Sequence, residues 1–254
     1  MATTIGSITD EGRNTVSDNG LGGIACGDPN LAADSSEGGY CVIVGNNIGT
    51  DITGTFAIPN DIRNIPNVYG STGAVGVLGN ISVSYIGAPG GTTPGGACTG
   101  FCNLIAGNGG GFTVDAGVIT GGLGIVGIFN NYVGTNKEGT QALGNPGGVA
   151  LYSSIIPDSS QSVHLGGHGT LDGQTVALGN LISGNQQGGI SVGTFFTPNL
   201  THYVEYIVTG NLIGTDRSGT AAIPNTGHGI SVGTGPTDMV RIGSSDPLDR
   251  NIIS

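Results

Sequence analysis

Tryptophan is absent from this chain, and charge is scarce: Asp, Glu, Lys and Arg make up 9% of the residues, and only six are basic. The net charge is −11 and the pI near 4.3. Binding to nucleic acid or to an anionic membrane surface draws on counterion release by Lys and Arg, so this balance sets both aside. No apolar run approaches the roughly 18–20 residues that span a bilayer, which sets membrane insertion aside as well. No stretch keeps a 3.6-residue apolar period and good helix formers are few, which predicts almost no helix. A cleavable leader is not legible, since Met1 runs straight into the polar Ala2-Thr3-Thr4.

What is present is glycine, 52 residues of it, interrupting short β-branched runs such as Val42-Ile43-Val44 and Ile125-Val126-Gly127-Ile128. With 37% hydrophobic residues, the chain is too apolar to remain disordered despite its low complexity. Self-similarity is the strongest signal. Ile5-Gly6-Ser7, running to Arg13-Asn14-Thr15-Val16-Ser17, aligns without gaps with Ile242-Gly243-Ser244, running to Arg250-Asn251-Ile252-Ile253-Ser254. Between them lie three cassettes of about 79 residues, at 5–85, 86–164 and 165–241, with 242–254 starting a further one.

Fixed landmarks mark each cassette. Asn-x-Ile/Val-Ser/Ala falls at Asn14, Asn103, Asn180 and Asn251, and Asn-x-Ile/Val-Gly-Thr is aligned at Asn47, Asn131 and Asn211. The second landmark runs on to Gly-Thr-x-Ala and a closing Asn60, Asn145 or Asn225. Strand candidates with period-2 alternation follow at 180–183, 189–192, 203–208, 211–214, 229–232 and 239–242. Glycine, asparagine and proline mark the corners. Three short strands per turn predict an all-β fold, a single-stranded parallel β-helix of about six coils and roughly 30 Å in length at ~4.8 Å per coil. The recurring asparagines are read as corner ladders, amide bonded to amide up the column.

The patterns Asn180-Leu181-Ile182-Ser183-Gly184-Asn185 and Asn211-Leu212-Ile213-Gly214-Thr215-Asp216 resemble right-handed parallel β-helix repeat proteins with the pectate-lyase-like fold. Such repeats are common in exported bacterial surface proteins. The resemblance implies an extracellular or cell-surface location and is specific for architecture. It is weak for function, because this fold carries lyases, hydrolases, adhesins and structural fibres.

Four cysteines, Cys26, Cys41, Cys98 and Cys102, lie in the first 102 residues without zinc-site spacing. They are disulfide candidates, a Cys26–Cys41 bridge being worth roughly 3 kcal/mol. Buried free thiols are the alternative, because Cys26 aligns with Val192.

Catalytic signals are thin. Gly227-His228-Gly229 resembles a polygalacturonase motif, but the chain has no Asp-Asp, and Gly243 follows Arg241-Ile242 where lysine is needed. One turn earlier the same segment reads Gly188-Gly189-Ile190-Ser191-Val192, so the histidine is a corner substitution. A lyase would need calcium-binding carboxylates beside a base, with Asp216–Arg217 and Asp238–Arg241 as the candidate pairs. No catalytic residue, metal site or cofactor is assigned; Ca²⁺ at acidic loop corners is the sole cofactor candidate.

A solenoid exposes unpaired strand edges at its ends, and neither end shows a polar cap. The sequence therefore predicts a non-catalytic extracellular structural protein that forms a homo-oligomer or filament, or a segment of a longer tandem array. Ile5, Val16, Ile242 and Ile253 would form the junction. The alternative is carbohydrate binding or cleavage on a lateral groove, with Phe195, Phe196, Tyr203 and His228 as candidate contacts.

Overall fold

The computed structural model describes residues 2–20, 22–26, 40–60, 75–79, 83–89, 95–109, 118–120, 125–153, 160–194, 203–233 and 238–254. Three parallel sheets account for nearly all the strands. The first carries Ala2–Gly6, Tyr40–Val44, Val83–Ile86, Ile125–Ile128, Ser160–Gly166, Tyr203–Thr209 and Met239–Ile242. The second carries Asn14–Val16, Asn46–Ile48, Leu104–Ile105, Tyr132–Val133, Leu181–Ile182, Leu212–Ile213 and Ile252–Ile253. The third carries Gly22–Cys26, Val75–Gly79, Val118–Thr120, Val149–Ser153, Ile190–Thr194 and Ile230–Gly233.

The chain visits these sheets in rotation, so each strand pairs with the strand of the same sheet one circuit later. This all-β, parallel arrangement is compatible with a β-helical solenoid. Its only helical pieces among the described residues are two short 3₁₀ turns, Asp10–Gly12 and Pro247–Asp249.

Period-2 alternation now becomes columns. In the first sheet Ile5, Ile43, Ile86, Ile128, Leu165, Val208 and Ile242 stand in one register. In the second, Val16, Ile48, Ile105, Val133, Ile182, Ile213 and Ile253 do the same. The inner five of each column are at most 1% exposed. Each such aliphatic side chain contributes about 1.5–3 kcal/mol on burial, so the columns form the main core.

Two corners hold asparagine ladders. At the first, each Nδ2 donates to the next Oδ1 along Asn14, Asn46, Asn103, Asn131, Asn180, Asn211 and Asn251, at 2.8–3.1 Å. The second runs Asn19, Asn60, Asn108, Asn145, Asn185 and Asn225, at 2.8–3.2 Å. Buried amides must find partners, and here each inner one also bonds backbone, as Asn131 does to the Ile86 carbonyl at 2.7 Å. In the second circuit the ladder residue is Asn46, not the Asn47 of the pattern alignment. Side chains alternate along a strand, so Asn47 stands in register with Leu104 instead and sends its Nδ2 to the Ile52 carbonyl at 3.0 Å.

A second, smaller core lies outside the sheets. Loops 50–57, 135–142 and 215–222 are each closed by a Thr–Ala antiparallel bridge. They fold over the side chains that face away from the main core. Cys98, Cys102, Leu104, Ala106, Tyr132 and Leu181 form this cluster. Burial pushes the Tyr132 hydroxyl up to about 12, and that hydroxyl donates to the Gly96 carbonyl. The His168–Leu171 and Gln174–Ala177 hairpin is an antiparallel excursion from the rotation. The sequence reading did not anticipate it.

Candidate functional site: the two ends of the columns

The four residues expected at a junction occupy matched positions. Ile5 and Ile242 terminate the first-sheet column, and Val16 and Ile253 terminate the second-sheet column. Ile5 and Val16 are half-buried against the core, whereas Ile242 is 47% and Ile253 50% exposed. The contrast with inner column members, all but sealed, comes from having a neighbour on one side only. Val232, 47% exposed, ends an inward column of the third sheet.

The ladders end at the same faces, and they have a direction. Asn251 Oδ1 accepts from Asn211 Nδ2 at 3.1 Å and from the Asn211 backbone N–H at 3.0 Å. Its own Nδ2 reaches the Val208 carbonyl at 2.9 Å, leaving the second N–H directed past the end. At the other face Asn14 Nδ2 donates inward to Asn46 Oδ1 at 3.0 Å, and its Oδ1 stands at the open edge. One end therefore offers donors and the other an acceptor.

Arg13 ties the first circuit to those after it. Its Nη1 donates to the Cys102 carbonyl at 2.8 Å, the Asn46 carbonyl at 3.2 Å and Asn47 Oδ1 at 3.3 Å. Its Nη2 reaches the Cys98 carbonyl at 3.2 Å and lies 3.6 Å from Asp10. With its side chain 4% exposed, burial pulls the guanidinium down from its usual range while Asp10 opposes that pull. The arginine is a clamp, and the sequence reading missed it; its recurrence as Arg250 was the available signal.

The cysteines are all paired, Cys26 with Cys41 and Cys98 with Cys102, which removes the free-thiol alternative. The first joins the third sheet to the first, and the second closes the turn under which Leu104 packs.

The candidate catalytic and glycan residues are described only in part. Phe195 and Phe196 lie outside the described residues, and so does the side chain of Tyr203, whose backbone opens the strand Tyr203–Thr209. His228 is exposed, and its carbonyl accepts from the Gly189 N–H at 3.0 Å as an ordinary rung of the third sheet. Asp216 Oδ1 accepts the Thr220 and Ala221 N–H groups at 3.1 and 3.2 Å, which makes it a turn residue. The Ser218 hydroxyl, with those N–H groups, lowers its carboxyl below the usual range against burial. Arg217 faces Glu138 at 3.4 Å, and Arg241 faces Glu205 at 3.2 Å. Asp238 accepts from the Val204 N–H at 3.3 Å.

On the flank, Ser162 Oγ and His164 Nε2 approach to 2.8 Å. Burial lowers the His164 pKa and the negative charge of Glu205 opposes this. Glu205 is itself engaged by Arg241. Among the described residues no three His, Cys, Asp or Glu side chains cluster as a metal site. Among the described residues no helix is long and apolar enough to cross a membrane.

Comparison with family models, with curated proteins and with solved structures gives no match to this chain.

Proposed function

We propose that the chain is a single-stranded parallel β-helix of the pectate-lyase-like kind it resembles. It serves as a non-catalytic structural element outside the cell, a fibre or surface stalk extended head to tail through its column ends. The observation that carries this reading is the repetition of one register from circuit to circuit. Two aliphatic columns and an asparagine ladder run through all seven strands of the first two sheets, so each circuit is shaped to stack on a like circuit.

Two further facts support it. The disulfides suit an oxidising compartment. Asp216, Arg217, Asp238 and Arg241, the charged candidates for polysaccharide chemistry, are each engaged in a turn, a backbone hydrogen bond or an ion pair.

Electron microscopy of the full chain over a concentration series tests the reading. Fibres with an axial repeat near 34 Å, seven strand spacings of ~4.8 Å, are the expected result. Discrete particles of one chain's length at every concentration would overturn it.

A further inference from the structure

Long and short corners alternate from circuit to circuit, and they do so in opposite phase at the two ladders. Counted by the strands of the first sheet, odd circuits step from first to second sheet through long segments, 6–13, 87–102, 166–179 and 243–250. Even circuits take the same step in two residues, 44–45, 129–130 and 209–210. At the second ladder the even circuits carry the long segments, 49–59, 134–144 and 214–224. There the short corners, 106–107 and 183–184, belong to odd circuits.

Each short corner is clasped between the long segments of the circuits on either side. Gly45, Asn130 and Gly210 hold equivalent places, with φ of 59°, 54° and 68°. Their backbone N–H groups donate to the Phe101, Leu178 and Asp249 carbonyls of the following circuit at 3.1, 3.0 and 2.9 Å. From the preceding circuit the approach is as close. A Cβ on Gly45 would collide with the Ser7 carbonyl, and one on Gly210 would stand 3.2 Å from the Gly167 carbonyl oxygen. Asn130 closes the same gap with its side chain, Nδ2 donating to the Ala88 carbonyl at 3.0 Å.

The second ladder repeats the arrangement. Gly107 and Gly184 donate to the Leu143 and Ile223 carbonyls at 2.7 and 3.0 Å. A Cβ on either would lie 2.6 or 2.8 Å from the methyl of Ala57 or Ala142 in the preceding circuit. Long segments also meet over the short corners, as His168 Nδ1 does with Asp249 Oδ1 at 3.0 Å.

Resting on the structural reading above for its use, we propose that these clasps make the protein a tension-bearing rod whose circuits open together under axial pull. In a solenoid held by nearest-neighbour contacts alone, the end circuit leaves and the next becomes an equivalent end, so the column unravels stepwise. Here every circuit clasps its neighbours at one ladder and is clasped by them at the other. A departing circuit strips the cover from the corner beside it and the contact with the long segment two circuits away. What remains is held less well than before, and the opening runs on through the column.

The test is force spectroscopy of single full-length chains pulled from both termini. With both disulfides closed, the expected record is one release of roughly 750–800 Å. Successive releases of about 130 Å, one circuit each, would overturn the proposal. Single tethered chains report nothing on fibre formation. A one-step record beside micrographs without fibres would therefore overturn head-to-tail assembly and leave the rod intact.

A variant isolates the clasps. Asn130→Gly keeps a residue type already present at the two equivalent corners and removes the bond to Ala88. Its lifetime at constant force should fall about fivefold. Asp172→Gly, the same exchange at a positive φ of 50° in a hairpin turn, should leave the lifetime unchanged. An unchanged lifetime in Asn130→Gly, or an equal fall in Asp172→Gly, would overturn the role of the clasps.

Discussion

The backbone N–H of Lys137 donates to the carbonyl of Gly54 at 2.9 Å, although a whole circuit lies between their strands. Arg217 repeats the contact with Gly139 at 2.9 Å. Each loop thus leans across the intervening circuit onto the next loop, and the side chains beneath, Leu104 and Leu181, become buried on the outside of the sheet.

That contact fixes the cost of adding one carbon at Gly54. Its φ is +72°, and a Cβ there would sit 2.6 Å from Leu104 Cδ2 and 2.8 Å from Lys137 Cβ. Gly54→Ala should cost about 2–4 kcal/mol, from left-handed strain plus overpacking. Gly173→Ala, at φ +76° with nothing within 4 Å, should cost only the strain, about 1–2 kcal/mol. Urea midpoints of the two variants check the difference.

Asparagine substitutions should depend on place in the ladder. Asn131→Ala strands two buried donors, the Asn103 backbone N–H and one N–H of Asn103 Nδ2, whereas Asn180 Oδ1 keeps the Asn131 backbone N–H and the Ile86 carbonyl keeps the Phe129 N–H. At about 1–3 kcal/mol for each stranded group, a loss of at least about 2 kcal/mol is expected. Asn14→Ala removes one bond at an exposed edge and should cost about 1 kcal/mol or less. Equal losses at the two positions would contradict the ladder account.

Much of this was legible in the sequence. Alternation in runs such as Ile190-Ser191-Val192 gave the strands because the pleat itself has period 2. The end-to-end alignment put Ile5 with Ile242 and Val16 with Ile253 because matching register is what makes a column. Asn46 was misread by a slip of one residue between adjacent asparagines: the pattern Asn-x-Ile-Gly-Thr begins at Asn46, since Ile48 follows Asn47 directly, and the pleat places the same residue in the ladder. The hairpin was missed although its signal was present: Asp172-Gly173, both with positive φ (50° and 76°), is the two-residue turn that matches strand twist. The outer core was illegible because it needs loops from different circuits to meet, which no local pattern encodes.

Acid should act on the first loop. Burial pushes the Asp51 carboxyl up, but the Thr53 hydroxyl and the N–H groups of Phe56, Thr55 and Thr53 outweigh it and hold the pKa at about 2. A carboxyl depressed below its unfolded value stabilises the fold above about pH 4. That contribution is lost as pH falls from there through about 2. Asn136 does the same turn work in the second loop, accepting from Thr140 and Gln141 at 3.0 and 3.1 Å. Asp51→Asn should therefore fold normally and flatten this part of the stability profile between about pH 4 and 2, measured by thermal melts.

The two disulfides should differ in weight. Their sequence separations are 15 and 4 residues. By loop-closure entropy alone, replacing Cys26 and Cys41 with serine should cost about 1 kcal/mol more than replacing Cys98 and Cys102. Paired denaturant titrations decide it; a larger loss for the short loop would place the weight on packing in the outer core.

The lean of one loop onto the next has a consequence for how such a gene can change. Deleting a loopless circuit would bring two loop-bearing circuits together, and deleting a loop-bearing one would leave two loopless circuits side by side with outward side chains uncovered. Deleting two removes one shelf and one loop together and restores every contact. Insertions and deletions in this protein should be tolerated in even numbers of circuits, so its length is inherited in whole cassettes.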